Sequence, residues 1–342
     1  MTSSLSDIAT LAGHRDRITS VAFAPGRSDV VLSAGRDGAV AVWTITGEDT
    51  AEALLYRHDA PVTAADFWPD ERGLLITSSD GTARTIDLET GDETGRYTAI
   101  EALRADATPP TGIIKSINDT TRVASAIVSA VVPLGALITA SAKTKDPSAS
   151  SIVAAAADAV SGRIATLAHD HTLTLYDLGT AAAIRSWTLP TDDQGAVAFA
   201  AGSLLVVGSA RVMVMSETSD KPLGVIRPHR GSIRGFAHLD HDACATHDAH
   251  GDFAVWSVSR RDVISRFTSP FHPSHACACG RNRVLIADAG RRVAMLDASR
   301  EMQAEVHETG IRRARAIAAS DNGARIAIAS DDNRLRVFAA PG

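Results

Sequence analysis

Four carboxylates recur along this chain in one frame. Asp37, Asp80, Asp170 and Asp332 each stand six residues before a large apolar side chain, namely Trp43, Ile86, Tyr176 and Phe338. Ser209, His250 and Gly290 hold the same place before Met215, Trp256 and Leu296. A carboxylate can serve as a general base. It can equally close a tight turn, because its oxygen accepts from backbone amides two residues on. The spacing decides between these roles: successive positions lie 43, 90, 39, 41, 40 and 42 residues apart. A period near 40 marks one supersecondary unit repeated along the chain. The acids are therefore turn residues, and the interval of 90, about two periods, predicts one hidden unit.

Other groups of reactive type fit the same structural role. His272, His275, Cys277 and Cys279 are zinc-ligand types close together. The two thiols lie two apart in an expected strand, however, so both face one side as small buried residues, and Cys-x-Cys is not the usual Cys-x2-Cys knuckle. His238, His241, His247 and His250 fall at strand turns, with His250 in the place of the turn Asp. There is no Gly-x-Ser-x-Gly elbow, phosphate loop or His-Glu-x-x-His. No catalytic residue, metal or cofactor is expected. Three cysteines suit a reducing compartment better than a disulfide framework.

The elements that place these turns are short strands. Ile18–Phe23, 29–33, Ala39–Trp43 and 52–56 make four runs in the first period, separated by Pro25-Gly26 and the Gly35–Gly38 turn. Four strands per period of about 40 indicate a blade of an all-β propeller. Hydrophobic residues are 45% of the 342, with aromatics only 4%. Small β-branched and aliphatic residues suit closely stacked sheets. The last unit ends at Phe338 after three strands, and residues 6–11 offer a spare one. Pairing the two ends would complete the last blade and close the ring, leaving no open edge.

Gly13-His14, Ser33, Asp37 and Trp43 together resemble the WD-repeat (WD40) family, whose units carry Gly-His near the start and Trp-Asp near the end. The Trp-Asp has become Trp43-Thr44, Ile86-Asp87, Tyr176-Asp177, Trp256-Ser257 and Leu296-Asp297. The resemblance implies a closed propeller of four-stranded antiparallel blades. It also implies a hydrogen-bonded network of His14, Ser33, Asp37 and Trp43, matched in part by Thr166 and Asp170, with Asp80 and Asp332 as turn members. Family members act in many complexes, so the resemblance speaks for fold far more than for partner.

Residues 99–150 lack the turn motif. As a degenerate blade they would supply strands at 113–117, 122–128 and 134–140, with a poor one around Pro133. As an insertion they would leave a seven-bladed ring. The double interval favours eight blades, within a single propeller over 1–342. The uncharged run 123–142 could span a bilayer by length, but Pro133, Gly135 and the lack of an aromatic belt favour buried strands and no membrane.

Charge is uneven. Residues 221–342 hold 18 Lys and Arg against 13 Asp and Glu, whereas the first 220 hold 16 against 27. Arg227, Arg230 and Arg234, Arg291 and Arg292, and Arg312, Arg313 and Arg315 fall at turns that should share one face of three consecutive blades. Such an arc suits an acidic peptide, a phosphopeptide or RNA; solvated loop charge is the plainer alternative. The expected function is a non-catalytic protein–protein scaffold within a larger complex. An RNA-associated subunit of a processing particle is the alternative, and an enzyme with a channel-face site is less favoured. The N-terminus has no basic or strongly apolar leader, so an intracellular setting, cytoplasmic or nuclear, is expected.

Overall fold

In the computed structural model, residues 3–46, 49–68, 72–98, 152–158, 160–190, 195–280, 282–297 and 304–340 are described. After two N-terminal strands, β1 (Ser3–Ser4) and β2 (Asp7–Ala12), the chain lays down sheets in strict order. Blade 1 is β3 (Ile18–Phe23), β4 (Val30–Gly35), β5 (Ala39–Thr46) and β6 (Asp49–Arg57). Blade 2 is β7 (Val62–Phe67), β8 (Gly73–Ser78), β9 (Thr82–Asp87) and β10 (Glu93–Thr98). Blade 3 is β11 (Ile152–Asp158), β12 (Arg163–Ala168), β13 (Thr172–Asp177) and β14 (Ala183–Thr188). Blade 4 is β15 (Ala196–Ala200), β16 (Ser203–Val207), β17 (Val212–Val214) and β18 (Gly224–Ile226). Blade 5 is β19 (Ile233–His238), β20 (Ala243–Asp248), β21 (Asp252–Ser257) and β22 (Asp262–Thr268). Blade 6 is β23 (Pro273–Ala278), β24 (Arg283–Asp288), β25 (Arg292–Asp297) and β26 (Ala304–Glu308). Blade 7 is β27 (Ala314–Ala319), β28 (Arg325–Ser330) and β29 (Arg334–Ala339), completed by β2 from the N-terminus.

Strand alternation explains how the blades join. Successive side chains of a strand leave opposite faces of its sheet. In β15, Ala196, Ala198 and Ala200 pack toward blade 5, while Val197 and Phe199 pack toward blade 3. Each seam between neighbouring blades is its own apolar cluster. Seven such clusters join blades 1–2, 2–3, 3–4, 4–5, 5–6, 6–7 and 7–1. Small Ala and Val side chains among the Ile and Leu let the sheets approach closely.

This arrangement corrects the expectation of eight blades: the described residues form seven, in a closed ring. Blades 2 and 3 touch directly, with no blade between them. Leu75, Ala83 and Tyr97 share a cluster with Ile152, Ala155, Ile164 and Tyr176. The Tyr97 and Tyr176 rings meet edge to face at 5.2 Å, and the Tyr176 hydroxyl donates to the Thr98 carbonyl at 3.0 Å. The doubled interval therefore reflects extra chain between two adjacent blades. The strands expected at 113–140 lie outside the described residues.

Closure uses both N-terminal strands. β2 pairs antiparallel with β29, Leu11 opposite Leu335. β1 runs parallel to β26, giving blade 6 a fifth strand. Leu5, between them, packs into the cluster of blades 6 and 7.

Candidate functional site: the turn face of the propeller

The turns between second and third strands share one face with the links from blade to blade, and the turn aspartates and the link and turn arginines lie there. In blade 1, His14 lies in the link before β3, Ser33 in β4, Asp37 in the following turn and Trp43 in β5. His14 Nδ1 is 3.1 Å from Asp37 Oδ1, and its Nε2 is 2.8 Å from Ser33 Oγ. The carboxylate only accepts, so in the neutral ring Nδ1 carries the proton and Nε2 accepts from the Ser33 hydroxyl. Ser33 Oγ in turn accepts from the Trp43 indole at 2.8 Å. Asp37 also accepts from the amides of Arg15 and Ala39. Burial alone would raise its carboxyl, but the Arg15 amide and His14 outweigh burial and hold it below the usual range. Every member is engaged with another, which ties the link, the turn and two strands together.

Other blades keep fragments of this network. In blade 2, His58 Nε2 faces Asp80 Oδ2 at 3.3 Å, and Arg84 approaches the same oxygen at 2.9 Å. In blade 3, Asp170 accepts from the Thr172 amide at 2.9 Å, while Thr166 is buried in β12. In blade 7, Ser330 and Arg336 replace the histidine as partners of Asp332. Burial would raise that carboxyl too, yet Arg336 and Ser330 hold it at about 2. In blade 5, His229 Nε2 lies 3.0 Å from Thr246 Oγ1, but His250 stands where the aspartate would be. The buried Trp256 indole N–H has no partner there.

The histidine cluster of blade 5 separates into two ends. His238 and His241 lie at the opposite face, where β19 ends and β20 begins. His247 turns inward, its ring filling the notch where Gly235 has no Cβ and its Nδ1 3.1 Å from the Asp248 carbonyl. Burial drives His247 and His275 of the adjoining blade down to about 4, so both are neutral imidazoles. Cys279 is buried, its Sγ 3.8 Å from Met295 Sδ, and Cys277 lies two residues before it in β23. Among the described residues no three His, Cys, Asp or Glu side chains gather as metal ligands.

The arginines divide into two kinds. Arg292 pairs with Asp288 at 2.7 Å and lies over the Phe271 ring at 4.9 Å. Arg315 pairs with Asp331, which Arg313 approaches at 3.9 Å. Arg227, Arg230, Arg234, Arg291 and Arg312 are exposed, and none pairs with a carboxylate among the described residues. Arg227 and Arg230 occupy the link from β18 to β19, Arg234 follows in β19, Arg291 sits in the turn before β25, and Arg312 lies in the link before β27. They thus stand on one face of blades 5, 6 and 7. Arg234 and Arg315 share a further feature that sequence reasoning missed. Each is the extra residue of a β-bulge at the start of the inner strand, as are Thr19, Thr63, Val153 and Ser274 in other blades. A one-residue skip in the apolar alternation of these strands is the signal that could have revealed it.

Comparison with known proteins agrees with this architecture. The family model for the "WD domain, G-beta repeat" matches residues 5–44 and 50–87, the first two units. Small ribosomal subunit protein RACK1 of Schizosaccharomyces pombe is 33% identical over 93 residues, 26% of this chain and 30% of that protein. RACK1 of Candida albicans is 36% identical over 93 residues, 26% of this chain and 29% of that one. Pre-mRNA-processing factor 19 homolog 2 of Arabidopsis thaliana is 36% identical over 86 residues, 25% of this chain and 16% of that protein. The chain thus matches under a third of the length of these curated relatives. The WD40 β-propeller domain of Doa1, a crystal structure, superposes with a TM-score of 0.67 at 14% identity, covering 98% of this chain and 96% of that one. That likeness is one of fold.

Proposed function

We propose that this seven-bladed propeller, whose first two units match the WD-repeat model, acts as a non-catalytic scaffold whose turn face docks an acidic segment of a partner protein within a larger intracellular complex. The observation that carries this reading is the set of five exposed arginines on three consecutive blades that meet no carboxylate among the described residues. Arginine presents five donors in a planar fork suited to carboxylates and phosphates. Held on links between packed sheets, these side chains meet a partner on a rigid frame, so little backbone ordering opposes binding. The turn aspartates support a structural role, since Asp37, Asp80, Asp170 and Asp332 are each engaged with backbone amides, histidine or arginine.

A second reading is RNA association through the same arginines. Two relatives favour it by their names alone, one a ribosomal subunit protein and one a pre-mRNA-processing factor. Quantitative affinity purification from native cells distinguishes the two. Wild type is compared with a variant carrying Arg→Ala at 227, 230, 234, 291 and 312, with and without ribonuclease. The scaffold reading expects specific proteins to be lost from the variant and retained after ribonuclease. Loss after ribonuclease, with affinity falling steeply as salt rises, replaces it with the RNA reading. An unchanged set of partners overturns both.

A further inference from the structure

Three arginines and one carboxylate crowd the seam where blade 7 meets blade 1. Arg313 directly precedes β27, Arg315 is the extra residue of the bulge in that strand, and Arg17 directly precedes β3. β27 and β3 are neighbouring inner strands, joined through Ala316, Ala318, Ile18 and Val21. Asp331 lies in the turn after β28. Arg315 Nε donates to Asp331 Oδ1, and Arg313 Nη1 lies 3.9 Å from Oδ2. The hydrogen bond from Arg315 holds the Asp331 carboxyl below its usual range, and the charges of Arg17 and Arg313 add to it.

The backbones that carry these side chains are fixed. The Arg313 amide donates to the Gly290 carbonyl at 3.3 Å, and the Arg17 carbonyl accepts from the Arg36 amide at 2.9 Å. The Arg315 backbone is hydrogen-bonded to His275 of blade 6. Arg313 also carries strain. Its φ is 55°, and among the described residues every other non-glycine with positive φ lies in a hairpin turn. Glycine takes such a φ without steric cost. Arginine takes it against the crowding of its own Cβ, and the side chain so placed is 73% exposed.

The cations here exceed what Asp331 can use. Each guanidinium carries five donors, yet of all those on Arg17, Arg313 and Arg315 only Arg315 Nε reaches an acceptor among the described residues. Nearby, Asp16 accepts from the Arg17 amide and Asp332 pairs with Arg336, so neither pairs with these guanidinium groups. Three positive charges against the Asp331 carboxylate leave two. That surplus matches a phosphate monoester, which carries about −1.5 to −2 at neutral pH on three acceptor oxygens. A carboxylate, or a phosphodiester of an RNA backbone, brings a single negative charge. We propose that Arg17, Arg313 and Arg315 form a binding site for the phosphate of a phosphorylated serine or threonine in a partner protein's segment. The proposal rests on the scaffold reading of this face and adds one anchoring group to it, held by arginines other than the five that carry that reading.

Fluorescence anisotropy of labelled peptides with the full chain tests this. The probes are the synthetic peptide Gly-Ser-Gly-pSer-Gly-Ser-Gly and the same peptide with Ser or Glu in the central place. Inorganic phosphate and oligouridine are the competitors. The phosphopeptide is expected to bind saturably, at least about tenfold more tightly than either other peptide. Arg313→Gly should weaken it at least about fivefold while the melting temperature holds or rises, because strain is relieved as the cation is lost. Arg17→Gln should weaken it similarly, and Arg260→Gln on the opposite face should not. The proposal is overturned by equal binding of the three peptides or by binding that both Arg313→Gly and Arg17→Gln leave unchanged. Displacement by inorganic phosphate at equal concentration, or tighter binding of oligouridine, also overturns it. Any of these results with partners still retained in the affinity purification leaves the scaffold reading standing, so the two fail separately.

Discussion

Trp43 and Trp256 occupy the same place in their blades and differ by one hydrogen bond. The Trp43 indole donates to Ser33, whereas the Trp256 indole is buried without an acceptor. Replacing either by Phe removes similar volume, but only at Trp43 is a satisfied bond lost. Trp43→Phe should therefore cost about 1 kcal/mol more than Trp256→Phe. Urea unfolding of the two variants measures this, and equal losses would contradict it. The reason lies in a residue outside both side chains. The carboxylate that completes the network in blade 1 is histidine in blade 5, so His229 and Thr246 remain as a pair. That replacement was legible, since position 250 stood out in the turn frame. Its effect on a tryptophan six residues away was not, because it depends on which hydroxyl can turn toward the indole.

At the scale of elements, blades 5 and 6 hold neutral histidines, His247 beside Gly235 and His275 on the side of Arg315 of blade 7. His247 and His275 sit at about 4 because burial penalises the charged ring. In the unfolded chain they would titrate near 6.5. Between these values the unfolded state binds protons that the folded state does not, so stability falls as pH drops from about 6.5 to about 4. Each ring contributes at most about 3 kcal/mol to that loss. His247→Phe keeps a ring in the notch opposite Gly235 and should flatten the slope over this window, read by thermal unfolding at stepped pH; an unchanged slope would refute the assignment. The strands carrying these rings were legible from alternation alone, as were the blade boundaries from the turn frame. The blade number was not. An interval of 90 residues is met equally by two units or by one unit and an insertion, and only the contact of Tyr97 with Tyr176 tells them apart. The arc of eight arginines was legible as positions. Among the described residues Arg292, Arg313 and Arg315 meet carboxylates and the other five do not, which follows from where Asp288 and Asp331 fall in space.

For the whole molecule, seven seams of similar make close a ring, so no blade is an end. Removing residues 1–12 deletes β1 and β2 and strips the edge of β29. It also removes Leu5, Ile8, Ala9 and Leu11 from the clusters that join blade 7 to its neighbours. Such a truncation should lower the unfolding temperature by at least about 10 °C, given the several buried side chains lost. It should also promote self-association through the bared strand, visible by light scattering. A monomeric truncation with unchanged melting would show that the ring does not depend on this closure.

The pairing of β2 with β29 also has a consequence in time. When residues 7–12 leave the ribosome, their partner strand lies more than 320 residues downstream. At roughly 5–20 residues per second the wait is on the order of 15 s to a minute. Throughout that period β2 is an unclaimed strand, and blade 7 has no complete sheet. Residues 7–12 thus wait for a partner made long after them, and that interval is when the closing strand most needs shelter from other chains.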